Sequence, residues 1–173
     1  MKKIIAIIVL SFMALSLVAC GGASSSAAGV AEKAYKALAQ SDYAAIVDLT
    51  PDYLIADMGA DLGLPENCTR EDVAKTYQEF FDQMKELAGE DFKIPEIKDF
   101  KSEVLKEIKK GDAEFEAKLN DYIESLPSSA VDKFNKDKVE AFAEVKVSGV
   151  VDGESGDSTG YCIKYDGKWY IVE

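Results

Sequence analysis

The 173-residue sequence contains no histidine. That removes the commonest general base at neutral pH, the Ser-His-Asp and Cys-His arrangements, and the commonest zinc ligand. Cysteine is scarce, with three residues. No apolar run reaches the ~20 residues that a membrane-spanning helix needs; the longest, Ile4 to Ala19, is broken by Ser11 and Ser16. Positive charge is in deficit, with 20 Lys and Arg against 32 Asp and Glu and a net charge of −12. Such a surface repels phosphate backbones, so nucleic acid is excluded as an expected partner. The acids are spread along the chain rather than gathered into a tail, which reads as solubility. Nothing calls for a cofactor.

The first twenty residues carry the most information. Lys2 and Lys3 precede the apolar run, which ends in Leu17-Val18-Ala19-Cys20. A cationic start, a short apolar stretch and small residues before a cut form a secretory leader. The segment resembles a bacterial lipoprotein signal peptide with its lipobox: Leu three residues before the cysteine and a small residue just before it. A permanent membrane anchor fits less well because the run is short and closes on Ala-Cys-Gly-Gly. An ordinary signal peptide would leave the lipobox spacing unused. The resemblance implies lipidation of Cys20, cleavage after residue 19, and attachment to the extracytoplasmic face of the cell membrane by paired acyl chains, palmitate among them. Residues 20–29, Cys20-Gly-Gly-Ala-Ser-Ser-Ser-Ala-Ala-Gly29, then read as a flexible tether.

Residues 30–173 are long enough for one domain with a real core. Without the leader lysines the charge is near −14, from 18 basic and 32 acidic residues. With Cys20 lipidated, Cys68 and Cys162 form an even pair in an exported domain. They are either a disulfide tying helix to sheet or two buried thiols; without histidine they make a poor metal site.

Along the domain, Val30 to Gln40 reads as a helix, with Val30, Ala34 and Leu38 on one face. Ser41-Asp42 interrupts it and caps a second stripe of Tyr43, Ile46, Val47 and Leu49. Thr50-Pro51 starts another helical segment carrying Leu54, Ile55 and Met58, closed by Gly59 and Gly63-Leu64-Pro65. Thr69 and Asp72 resemble a capping box at the start of the clearest helix. Its wide apolar face runs Val73, Tyr77, Phe80, Phe81, Met84, Leu87 and Ala88 until Gly89. Such a face is expected to be core, with pocket lining as the alternative.

Residues 98–126 are ambiguous. Lys109-Lys110-Gly111-Asp112 is a turn. Alternation before it (Val104, Lys106, Ile108) and after it (Phe115, Ala117, Leu119) favours a hairpin. Phe115, Leu119, Tyr122, Ile123 and Leu126 also fit one helix face. The hairpin is slightly preferred. Pro127-Ser128-Ser129 breaks the chain, and a short helical turn is expected between Ala130 and Asp137. The end is plainly β, with Val139, Ala141, Ala143, Val145 and Val147 facing one way. A polar connection, Asp152 to Ser158, leads to Gly160–Tyr165. Asp166-Gly167 is a two-residue hairpin signal before Lys168–Val172.

Helices followed by a curved antiparallel sheet make an α+β fold. Two segments, Ala37-Leu38-Ala39-Gln40-Ser41-Asp42-Tyr43 and Tyr165-Asp166-Gly167-Lys168-Trp169-Tyr170-Ile171, give the chain a likeness to small bacterial lipoproteins of the nuclear-transport-factor-2-like family. The likeness runs loosely from Ala31 to Glu173, and residues 120–138 look like an insertion between strands. It implies a cone-shaped, cystatin-like domain, often with a pocket at its mouth; Tyr53, Tyr77, Phe81 and Trp169 are candidate pocket residues.

The family hosts enzymes and non-enzymes, so fold alone does not give function. The first expectation is a non-catalytic binding or accessory module. Its partners would be the membrane through the lipid, a small molecule or an envelope protein, and in one version a second copy as a homodimer. The alternative is an isomerase- or dehydratase-type enzyme using a pocket carboxylate with a raised pKa beside a tyrosine, for which Asp48, Tyr53 and Tyr77 are available. A transport-type solute receptor would need two lobes. Asp152-Gly153-Glu154-Ser155-Gly156-Asp157 does not have the spacing of a helix-loop-helix calcium loop and reads as a hairpin tip.

Overall fold

A computed structural model of the chain describes residues 26–89 and 96–172. The leader, Cys20 and most of the expected tether lie outside these residues. Among the described residues, four helices precede the sheet: α1 Ala27–Gln40, α2 Tyr43–Val47, α3 Asp52–Asp61 and α4 Arg70–Ala88. The first strand, β1 Ile97–Lys109, is followed by α5 Phe115–Ser125, α6 Ser128–Val131 and a 3-10 turn at Lys136–Lys138. The chain closes with β2 Val139–Val151, β3 Glu154–Tyr165 and β4 Lys168–Val172. The strands form one antiparallel sheet in the order β1-β2-β3-β4. The α+β architecture expected from the sequence is present.

Helix α1 starts earlier than its apolar pattern implied. The Ser26 side chain accepts from the Gly29 amide at 3.1 Å, so Ala27 to Gly29 are its first turn and not tether. Ala27, Val30, Ala31, Ala34 and Ala37 are buried, and these small residues let the helix lie close on the sheet. Ser41 ends it in the left-handed region at φ 53°, and Asp42 caps α2 by accepting from the Ala45 amide at 3.0 Å. The capping box of α4 is present: Asp72 N donates to Thr69 Oγ1 at 3.2 Å and Thr69 N to Asp72 Oδ2 at 2.8 Å.

Arg70, the only arginine in the sequence, binds the N-terminal helices together. Its guanidinium donates to Val47 O, Thr50 O and Asp52 Oδ1, each at 2.6 Å. The start of α4 is thereby fixed to the end of α2 and the start of α3.

The preference for a hairpin across 98–126 is half corrected. β1 is a strand, but the segment after the turn is α5, and β1 pairs with β2, Val104 standing opposite Val145. Helix wins because Phe115, Leu119 and Tyr122 fall on one face and bury together against Phe142 and Ile163 of the sheet. Two-residue turns link the last three strands. Asp152 and Gly153 have φ 53° and 87°, and Asp166 and Gly167 have φ 53° and 79°. Positive φ at both centres is the turn geometry that matches strand twist. The expected polar connection is therefore only Asp152-Gly153, and Glu154 to Ser158 belong to β3.

The sheet is covered on both faces. Helix α1 packs on Ala141, Ala143, Val145 and Val147 of β2, with Cys162, Trp169 and Ile171 alongside. On the opposite face α3, α5 and α6 bury Tyr53, Phe115, Tyr122 and Ala130 against Val139, Phe142, Ile163 and Val172. Val139 thus lies opposite to its expected neighbours, because a register shift between Val139 and Ala141 switches the alternation. A third cluster joins Val47, Ile55 and Val73 of α2, α3 and α4. The long face of α4 is core only at its start: Val73 is buried, whereas Phe80 and Leu87 are 39% and 89% exposed.

Candidate functional site

A half-open groove of about 260 Å³ lies between α1 and the sheet. Ala31 and Tyr35 form its helix wall. Val145, Val147, Cys162 and Ile171 form its apolar floor, and Ser158 and Gly160 its rim. Each contribution follows from strand register. Val145 stands opposite Gly160, Val147 opposite Ser158, and Cys162 opposite Ile171, so these residues share one face.

The absence of a side chain at Gly160 keeps the groove clear, since a Cβ there would meet nothing within 4 Å. Tyr35 is held by stacking on Phe100 of β1, with centroids 4.3 Å apart, and its hydroxyl reaches Ser158 Oγ at 3.3 Å across the mouth. Cys162 Sγ sits 3.8 Å from Ala27 O, and burial pushes this thiol up to about 12, so it is not a nucleophile at neutral pH. The site can hold an apolar group and offer it two hydroxyls.

None of the four pocket candidates lines this groove. Trp169 is in the core under α1, two residues before Ile171 on the same face of β4. Tyr53 is on the other side of the sheet, in an aromatic cluster with Tyr122, Phe134 and Tyr165. Tyr77 and Phe81, on α4, meet Tyr43 at 6.2 and 5.3 Å between centroids. The groove left only a faint signal in the sequence. Small residues alternate at Ser158, Gly160 and Cys162, and of these only Ser158 fell within the stretch read as a polar connection.

The structure does not bring Cys68 and Cys162 together. Both thiols are free, Cys68 against Val47, Ile55 and Val73 and Cys162 in the cluster under α1. Two of the three carboxylates at the β2–β3 hairpin are engaged: Asp152 Oδ1 accepts from the Glu96 amide at 2.8 Å, and Asp157 pairs with Lys146 at 2.6 Å. Among the described residues no group of three or more His, Cys, Asp or Glu is placed to hold a metal ion, and no helix is long and apolar enough to cross a membrane.

The enzyme alternative places a pocket carboxylate with a raised pKa beside a tyrosine. Tyr53 and Tyr122 bond each other, hydroxyl to hydroxyl at 2.6 Å. Burial raises both well above the ordinary phenol range, and for Tyr53 the neighbouring Tyr122 adds to the rise. No Asp or Glu is buried among the described residues, and Asp48 is exposed.

No family model matches the sequence, and neither a curated protein nor a solved structure matches it.

Proposed function

We propose that this chain is a lipid-anchored extracytoplasmic protein that works by binding, and that the groove under α1 receives its ligand. The single observation that carries the binding reading is the apolar groove left open at Gly160. The anchor rests on the Leu17-Val18-Ala19-Cys20 lipobox, and two acyl chains on Cys20 would make attachment firm. The order of helices before a meander sheet supports the resemblance to nuclear-transport-factor-2-like lipoproteins.

Two measurements test the reading. Intact-mass analysis of the protein from bacterial membranes should show a diacylglycerol-modified Cys20 as the first residue; an unmodified cysteine removes the anchor. Titration with indole, an apolar probe small enough for the groove, should move the amide NMR signals of Ser158 and Gly160, and Gly160→Leu should abolish the response. Unmoved signals at these residues remove the groove as a binding site.

A further inference from the structure

Strand β4 covers only the far half of β3. Val172 stands opposite Tyr161 and Lys168 opposite Tyr165, and among the described residues no strand pairs with Glu154–Gly160 on that side. The hairpins fix which groups face this gap. Two-residue turns make Val151–Glu154 and Tyr165–Lys168 hydrogen-bonded pairs. Alternation then directs the main chain of Ser155, Asp157 and Thr159 outward and that of Ser158 and Gly160 toward β2. Three N–H and three C=O groups line an edge that begins beside the groove.

This edge lacks the protection given to the other one. The opposite edge, β1, carries Lys98, Lys101, Glu103, Lys106, Glu107 and Lys109, the charged pattern that discourages strand addition. The 154–160 edge carries only two charged residues, Glu154 and Asp157, and Asp157 is paired with Lys146 of β2 at 2.6 Å.

We infer that the bare 154–160 edge and the groove together hold an extended peptide segment with an apolar side chain at every second position. An added strand takes its main-chain bonds from Ser155, Asp157 and Thr159. Its side chains next to Ser158 and Gly160 lie on the groove face and reach the floor at Val145, Val147 and Ile171, because nothing occupies the space over Gly160. Its alternate side chains lie on the face where Asp157 is already paired with Lys146 and Lys118 sits over Tyr161, so that face asks for no charge. A second copy of this edge is disfavoured as the partner, because neither its Glu154, Gly156, Ser158 and Gly160 nor its Ser155, Asp157 and Thr159 would bring an apolar side chain to the groove. The inference rests on the reading of the groove as a binding site.

The test uses the full chain in nonionic detergent with a labelled heptapeptide of alternating Thr and Val, read by fluorescence anisotropy. Saturable binding is expected. Gly160→Leu fills the groove, and Thr159→Pro removes an outward N–H without touching a bond to β2; each should weaken binding by about tenfold or more. Buried Trp169 reports by its emission that both variants are folded. A probe N-methylated at its edge-facing amides should fail on the unaltered protein. The inference is overturned if a blocked arrangement of the same residues binds equally well, if the N-methylated probe is unaffected, or if Thr159→Pro instead abolishes self-association. Should indole still respond to Gly160→Leu while the peptide does not bind, the peptide inference falls and the groove reading stands. Should neither respond, both fall.

Discussion

Burying two phenols against each other makes each depend on the other. Tyr53 and Tyr122 share one hydroxyl contact in the cluster beneath α3 and α5. Tyr53→Phe is therefore expected to leave the Tyr122 hydroxyl buried without its partner and cost about 1–3 kcal/mol. The double change to Phe should cost less than the sum of the singles, as measured by urea denaturation. A second residue-level dependence lies at Gly59 of α3, where a Cβ would fall inside the contact radius of Cys68 Sγ. Gly59→Ala should destabilise by about 1–3 kcal/mol through overpacking. Adding Cys68→Ala should recover part of that loss, and strict additivity of the two changes would contradict the packing.

Within the N-terminal helices, the guanidinium of Arg70 satisfies carbonyls at Val47 and Thr50 while pairing with Asp52. Lysine keeps the charge but not the fork, so Arg70→Lys should cost about 1–3 kcal/mol, with faster hydrogen exchange in α2 and α3. Much of this level was legible in the sequence, because caps and turns are local. Ser41-Asp42, the Thr69–Asp72 box, Gly89 and Asp166-Gly167 need only neighbours within a few residues. The elements that misled were set by distant contacts. Alternation around Lys110 is consistent with a hairpin until β2 offers β1 a partner 13 residues long and Phe142 offers α5 a surface. The face of α4 has the period of a core helix, but only its first turns lie against α2 and α3. The groove was the least visible feature, since it depends on what Gly160 lacks and on where β4 stops.

Across the whole molecule, protons held by buried groups couple stability to alkaline pH. Burial raises the phenols of Tyr53 and Tyr122 and pushes the Cys162 thiol up to about 12. Unfolded, the same groups release their protons near their ordinary values, 9.0 for the thiol and 10.0 for tyrosine. Above those values the unfolded chain holds fewer protons than the folded one, so stability falls as pH rises. The contribution is fully present below about pH 8, where cysteine and tyrosine are protonated in both states. It is lost from about pH 9 upward, at about 1.4 kcal/mol per pH unit for each group still protonated only in the folded state. Urea midpoints should be flat near pH 8 and drop steeply above pH 10, and Cys162→Ala should remove the earliest part of the drop. A midpoint unchanged to pH 11 would show that these hydroxyls are not sealed from water.

The Ser26 cap also bounds where the molecule can act. Because helix α1 begins at Ala27, the span from Cys20 to the folded body is six residues. Whatever its path, six residues reach no more than about 21 Å. With Cys20 acylated as proposed, the first turn of α1 stays within that distance of the lipid headgroups, so the groove near Ala31 samples a layer about one protein diameter deep. Its ligands would then be those that come to the membrane surface, at an effective concentration set by that layer and not by the surrounding fluid.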